Sequence, residues 1–365
     1  MSAILDKLLK KQRVDWVKLG EVAEIGTGSS NRQDEDENGI YPFYVRSKNI
    51  LKSNTFQFDE TAIIIPGEGG IGEIFHYAQG KYALHQRAYR IHITSSKLET
   101  KYLFYVMAHS FKKYILTKSV GATATSIRKP MLEQFEIPIP PLDVQAEIVR
   151  ILDAFTAVTA ELTAELNMRE KQYQYYRDKL LSFSSDEINW KSLGEVVKMQ
   201  AGKNIKASQI NPSQTDENLY PCFGGNGIRG YVNNLSHQGE HVIIGRQGAL
   251  CGNVQRVKGN FYATEHAVVV TVSDSIDVDW AYHMFTFMNL NQYASKSAQP
   301  GLAVGKLEQL EIPVPSLSEQ KRVAKILDKL DTITHSITEG LPYEITLRQQ
   351  QYEYYREQLL DFPKN

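Results

Sequence analysis

From about Asp143 to Leu181 the apolar positions are Ile148, Leu152, Phe155, Thr159, Leu162, Leu166, Tyr173, Tyr176 and Leu180, stepping by three and four residues with charge between them. That spacing predicts one long helix whose narrow stripe lies along a partner helix. A second stripe, Val323, Leu327, Leu330, Thr334 and Ile337, predicts another helix, opened by Ser316 and Glu319 as a capping box. Gly340 and Pro342 interrupt it, and a helical pattern resumes from about Tyr343 to Leu360. Ahead of each stripe lie short β-type runs between Gly, Asn and Ser turns: Ala62 to Ile65 and Tyr82 to Ile93, then His241 to Ile244 and Ala267 to Val272. Each series closes with a helical stretch, near Lys101–Tyr114 and Trp280–Tyr293. Pro138, Pro140 and Pro141, or Pro313 and Pro315, then stop regular structure, because proline breaks both ladder and helix pairing.

The two series are one text written twice. Trp16-Val-Lys-Leu-Gly-Glu-Val22 recurs as Trp190-Lys-Ser-Leu-Gly-Glu-Val196, and Ile137-Pro-Ile-Pro-Pro-Leu142 with Gln145 recurs as Ile312-Pro-Val-Pro-Ser-Leu317 with Gln320. Ile151-Leu-Asp153 returns as Ile326-Leu-Asp328, and Tyr173-Gln-Tyr-Tyr-Arg177 as Tyr352-Glu-Tyr-Tyr-Arg356. The markers keep their order, so the chain is a duplicated module of about 175 residues. The division this suggests is β-rich domains over 1–141 (with a short N-terminal helix) and 184–316, and helices over 142–183 and 317–365.

Composition excludes more than it identifies. With 41 Lys+Arg against 42 Asp+Glu and 42% hydrophobic residues, the chain is globular and close to neutral, not the basic balance of a dedicated nucleic-acid binder. Two cysteines make no disulfide framework, and no apolar run is long enough for a membrane helix; with no cleavable leader pattern, the expectation is a cytoplasmic protein. Gly67-Glu-Gly-Gly-Ile-Gly72 matches the dinucleotide fingerprint, but the β-like run Glu73 to Gly80 follows where a helix is required. A glycine turn that allows close backbone approach accounts for it better. P-loop, zinc, nucleophile-elbow and methyltransferase signatures are missing, so no cofactor, metal or catalytic group is expected. Charge is local instead: Lys101, Lys112, Lys113, Lys118, Arg128 and Lys129 lie within Glu99 to Pro130, and Arg246, Arg256 and Lys258 within His241 to Tyr262.

Taken together, the repeated Trp-x-x-Leu-Gly-Glu-Val opening, the Ile-Pro-[IV]-Pro-x-Leu-x-x-Gln helix start and the Gln-Tyr-x-Tyr-Tyr-Arg helix end resemble the DNA specificity subunit of type I restriction–modification systems, over Leu5 to Phe362. The tandem Thr159-Ala-Glu-Leu-Thr-Ala-Glu-Leu166 is similar to the type IC subgroup. The resemblance implies an α+β fold with two target-recognition domains held apart by two long antiparallel coiled-coil helices in an internal pseudo-two-fold repeat. It implies a non-catalytic chain that binds double-stranded DNA at a split target and recruits two methyltransferase subunits and, through them, restriction subunits. Two other classes stay open: a scaffold built on the helices with no DNA role, and a degenerate methyltransferase or nuclease.

By residue type and loop position, the DNA-binding candidates are Arg46, Ser47, Lys48, Gly67, Gly69, Gly70, Gly72, His85, Gln86, Arg87, Arg128 and Lys129 in the first module. In the second they are Lys203, Asn204, Asn226, Arg229, Arg246, Gln247 and His266. Tyr173, Tyr176, Arg177, Tyr352, Tyr355 and Arg356 are the candidate partner-binding residues, since Tyr and Arg anchor protein interfaces. The tetrapeptide is expected to act as a ruler whose copy number sets the spacer between half-sites.

Overall fold

The computed structural model describes residues 2–70, 72–118, 126–184, 188–296 and 300–363. They fall into two compact units, one of Met1–Leu162 with Ile345–Asn365 and the other of Thr163–Glu344. The long helix Leu142–Leu181 thus gives its first half to unit 1 and its second half to unit 2.

In each unit the short β-type runs build the same six-stranded sheet, whose central strands are continuously buried over Ala62–Pro66 and His241–Gly245. The order in unit 1 is Ala23–Thr27, Ala88–Ile93, Phe58–Pro66, His76–Leu84, Tyr41–Tyr44, Leu51–Ser53; in unit 2 it is Val197–Ala201, Ala267–Val272, His237–Gly245, Val254–Ala263, Tyr220–Gly224, Gly227–Val232. Pairing is antiparallel except at one seam, Tyr44 beside Leu84 and Phe223 beside Ala263. The run Tyr82 to Ile93 is therefore two strands around a turn at His85–Arg87.

Pro138 and Pro313 do not end regular structure. They pair with Trp16 and Trp190 in separate two-stranded ribbons, where a strand has a side that needs no N–H. The stretch 280–293 is not one helix either: Val278–Phe287 stops, Asn289 turns left-handed at φ 46°, and a short 3-10 turn Leu290–Tyr293 follows.

The helical stripes are buried where they meet their own unit. Ile148 and Leu152 pack in unit 1 with Leu359, Leu360 and Phe362 from the chain's end, and Phe155 stacks on Tyr355 at 5.1 Å. Tyr173 and Leu181 pack in unit 2 with Val323, Ala324 and Leu327, and Tyr173 meets His335 at 5.3 Å. Unit 1 also closes over both chain ends: Leu5 and Leu9 of the helix Ala3–Leu9 are buried, Ser2 Oγ donates to the Gln358 carbonyl, and Trp16 Nε1 donates to the Pro363 carbonyl.

Three details of the second helix differ from expectation. Ser316 Oγ accepts from the Glu319 N–H, but the Glu319 carboxylate turns to Arg322 at 2.6 Å, so only half of the capping box forms. Ile337 lies beyond the helix end at His335 and is 79% exposed. Pro342 stands in the first turn of Leu341–Leu360, where its missing N–H has no helical partner to lose, so it starts a helix and does not interrupt one. The break is made by the residues before it. At Gly340 a Cβ would come within 2.3 Å of the Thr332 carbonyl, so only glycine lets the chain double back on the helix end.

Candidate nucleic-acid interface

Two repeated residues fasten each sheet domain to its long helix. Gln145 is fully buried in the helix's first turn; its Oε1 accepts from Glu99 N–H at 3.0 Å and its Nε2 donates to the Lys97 and Pro140 carbonyls at 2.8 and 2.7 Å. Gln320 repeats the triad on Asp277 N–H (2.8 Å) and the carbonyls of Ser275 (3.0 Å) and Pro315 (2.8 Å). Further along, Asp153 accepts from Tyr105 and faces Lys101 at 3.4 Å. Its repeat, Asp328, binds the buried His283 at 2.8 Å and Arg256 at 2.6 Å, with Arg256 also on Asp279 at 3.0 Å. Burial alone would raise the Asp328 carboxyl, and the bonds from His283 and Arg256 more than offset it, holding it below the usual carboxylate range. Sheet and helix are thus joined by built contacts, and the candidate residues lie instead on the loops around the glycine turns.

There each unit forms one concave site around the glycine turn. In unit 1 the turn leaves the strand ending at Pro66 with its backbone clamped: Gly67 N–H donates to Arg87 O, Ile127 N–H donates to Gly67 O, and Glu68 bridges Ser126. A Cβ on Gly67 would meet Arg87 O at 2.9 Å, and Gly69, Gly70 and Gly72 have φ of 69°, 56° and 68°, the left-handed region open to glycine. Ile71, within this turn, and 119–125, within the basic stretch, lie outside the described residues. The clamp holds Glu68 between two guanidinium groups: Arg46 Nη1 donates to its Oε2 at 2.9 Å and Arg87 Nη1 at 3.2 Å. Arg32, Ser47, Gly69 and His85 complete a concavity of about 520 Å³. His85 Nδ1 accepts from Arg87 N–H at 3.0 Å; burial, then the charges of Arg46 and Arg87, push this imidazole down, toward the neutral form.

Unit 2 builds the same backbone. Arg246 N–H donates to His266 O, Leu302 N–H to Arg246 O, Gly248 N–H to Pro300 O, and Gln247 bridges Gly301. Gln247 therefore stands where Glu68 stands, and His266 where Arg87 stands; His266 Nδ1 meets Gln247 Oε1 at 2.7 Å. Asn226, Ile228, Arg229, Gly248 and Leu250 line the rest, about 390 Å³. Next to His266 in sequence, Thr264 Oγ1 and Glu265 Oε2 are buried without a hydrogen-bond partner.

Most candidates meet at these sites: Arg46, Ser47, Gly67, Gly69, His85 and Arg87 in unit 1, and Asn226, Arg229, Arg246, Gln247 and His266 in unit 2. Gln86 turns to Asn31, Lys48 is exposed beside Ser47, and Arg128 and Lys129 are exposed at the start of a short helix just after Ile127. Lys203 and Asn204 lie on the next loop, bridged at Lys203 to Thr264. Sequence reasoning missed Glu68 and Glu265, because an acid argues against DNA until its partners are seen, and it missed Arg32, which no repeated marker singled out. It also overrated the basic stretches. Lys101 sits over Tyr77 and beside Asp153, Lys112 pairs with Glu73 at 2.6 Å, and Arg256 and Lys258 are paired with acids from other elements.

Of the partner candidates, Tyr173 is buried, Tyr352 and Tyr355 are half-buried in unit 1, Arg177 pairs with Asp178 at 2.8 Å, and Arg356 lies over Tyr352. Tyr176 is partly open, but the most exposed ring of each repeated cluster is the middle one, Tyr175 at 59% and Tyr354 at 57%. Among the described residues no cluster of His, Cys, Asp or Glu could hold a metal, and no helix is long and apolar enough to cross a membrane.

Fold and site together define a duplicated, two-headed chain, each head a sheet domain carrying its own loop cradle. The profile of the type I restriction modification DNA specificity domain matches twice, over residues 13–169 and 186–347. The chain is 45% identical over 375 residues to the EcoprrI specificity subunit of Escherichia coli, covering 92% of each, and 32% identical over 398 residues to a putative specificity subunit of Haemophilus influenzae, covering 98% of each. The crystal structure of the S subunit of a type I system from M. genitalium shares the fold, with a TM-score of 0.71 over 97% of both chains at 17% identity. The chain belongs to the type I restriction–modification DNA specificity subunits; its role is sequence recognition, and it is not the catalytic subunit.

Proposed function

We propose that the chain reads a bipartite double-stranded DNA target, one half through the Glu68 cradle of unit 1 and the other through the Gln247 cradle of unit 2. The observation that carries this is the pair of equivalent concave sites, built on one backbone and given different side chains. The domains at 1–141 and 184–316 are the target-recognition domains, and the helices keep their distance as an antiparallel coiled coil. Two methyltransferase subunits dock at the repeated tyrosine surfaces marked by Tyr175 and Tyr354, and restriction subunits join through them, in the cytoplasm; the exposure of the same ring in both repeats supports this.

The unbroken 40-residue helix supports the ruler reading, since it passes through the tetrapeptides without a kink residue. A third Thr-Ala-Glu-Leu copy adds about 6 Å of helix. Methylation mapping in a host carrying the whole system is expected to show both half-sites unchanged and the unread spacer longer by one or two base pairs. An identical spacer would refute the ruler, and methylation without a bipartite motif would refute the two-headed reading.

A further inference from the structure

The cradles differ at one equivalent position, 68 in unit 1 and 247 in unit 2, and the difference has a chemical meaning. Glu68 holds Arg46 and Arg87 each through Nη1, which leaves the Nε–Nη2 edge of both guanidinium groups as a preset fork. Such a fork matches the two acceptors, O6 and N7, that guanine shows in the major groove. In unit 2 no arginine replaces Arg46 or Arg87: the equivalent positions are Gly225 and His266. His266 is flanked by acceptors, Gln247 Oε1 at 2.7 Å and Glu265 Oε1 at 3.3 Å. In the tautomer that carries its proton on Nδ1 the ring donates to Gln247 Oε1, and that bond holds the amide in one orientation. The second lone pair of Oε1 and the Nε2–H then lie side by side, the complement of adenine's N6–H and N7.

We propose that position 68/247 determines base specificity in each half-site: Glu68 is a positioning residue that presents Arg46 and Arg87 to a guanine, and Gln247, oriented by His266, reads an adenine. This rests on the DNA-reading role of the two cradles proposed above. It predicts a change of base as well as a loss. A carboxylate at 247 cannot donate to N7 but accepts from the N4 amino group of cytosine, so Gln247→Glu moves the preference at one position from adenine to cytosine. Glu68→Gln loosens both guanidinium groups and weakens the guanine preference in the other half roughly 10-fold, while Glu68→Asp restores part of it.

The test selects duplexes from a randomised library on the full chain, alone and with its methyltransferase subunit, for the wild type and these three variants. The expected result is a bipartite consensus in which each variant alters one position of one half and leaves the other half intact; the intact half shows that the variant is folded. A wild-type consensus whose bases are unchanged in Glu68→Gln and Gln247→Glu would overturn the inference and leave the DNA-reading role standing. A wild type that enriches no sequence in either form would overturn both.

Discussion

The two cradles share a backbone and differ in charge. Both are tied by the same hydrogen bonds between glycine turn, strand turn and the segment at Ile127 or Leu302. Unit 1 gathers two arginines on one carboxylate there, whereas unit 2 has an amide and an imidazole at the positions equivalent to Glu68 and Arg87, with Arg229 elsewhere in the lining. Duplication has kept what positions the tips and varied the tips themselves. The joints to the long helix teach the converse lesson. Gln145 and Gln320 make the same three bonds, but Asp153 meets a tyrosine and a lysine where Asp328 meets a histidine and an arginine. The geometry of the joint is common to both units and its electrostatics are not.

Removing the common part should have the largest effect. Gln145→Ala and Gln320→Ala each strand one buried N–H and two carbonyls, and each is expected to cost roughly 3 kcal/mol in urea unfolding. A large loss in one unit and none in the other would break the equivalence of the joints.

A smaller, pH-dependent effect should separate the units. A carboxyl held below its ordinary value near 4 contributes stability above that pH, and the contribution is lost as pH falls through the lowered folded value. Unit 2 is therefore expected to loosen below about pH 4, by about 1 kcal/mol once the partial exposure of Asp328 is allowed for. Asp328→Asn should flatten that acid limb in a melting series from pH 3 to 7; an unchanged limb would show that the Arg256–Asp328–His283 contact adds nothing to stability.

The smallest effect sharpens the contrast between cradles. Arg46→Ala is expected to lower the salt dependence of DNA affinity by about one counterion, while Gln247→Ala changes affinity with the salt slope unaltered. Equal slopes for both variants would mean that the cradles differ in shape alone.

Periodicity and repetition, both local properties of the chain, determined the helices, the strands, the duplication and through them the family. They also marked Gln145, Gln320, Asp153 and Asp328 as repeated without saying what they touch. Only the tertiary structure decided that, because, apart from the Pro140 and Pro315 carbonyls, their partners are backbone groups and side chains some 40 to 70 positions away. The basic stretches misled for the same reason: charge counted along the sequence ignores acids supplied by other elements, and Arg256 is neutralised by Asp279 and Asp328. Glu68 shows the error in the other direction. In sequence it is an acid inside a glycine turn; in space it is the group on which Arg46, twenty-two residues before it, and Arg87, nineteen after it, converge. Local pattern fixes which backbone forms, since hydrogen bonding and burial repeat at short period. Which side chains share a site depends on strand register and loop closure, and these bring together residues that no short period relates.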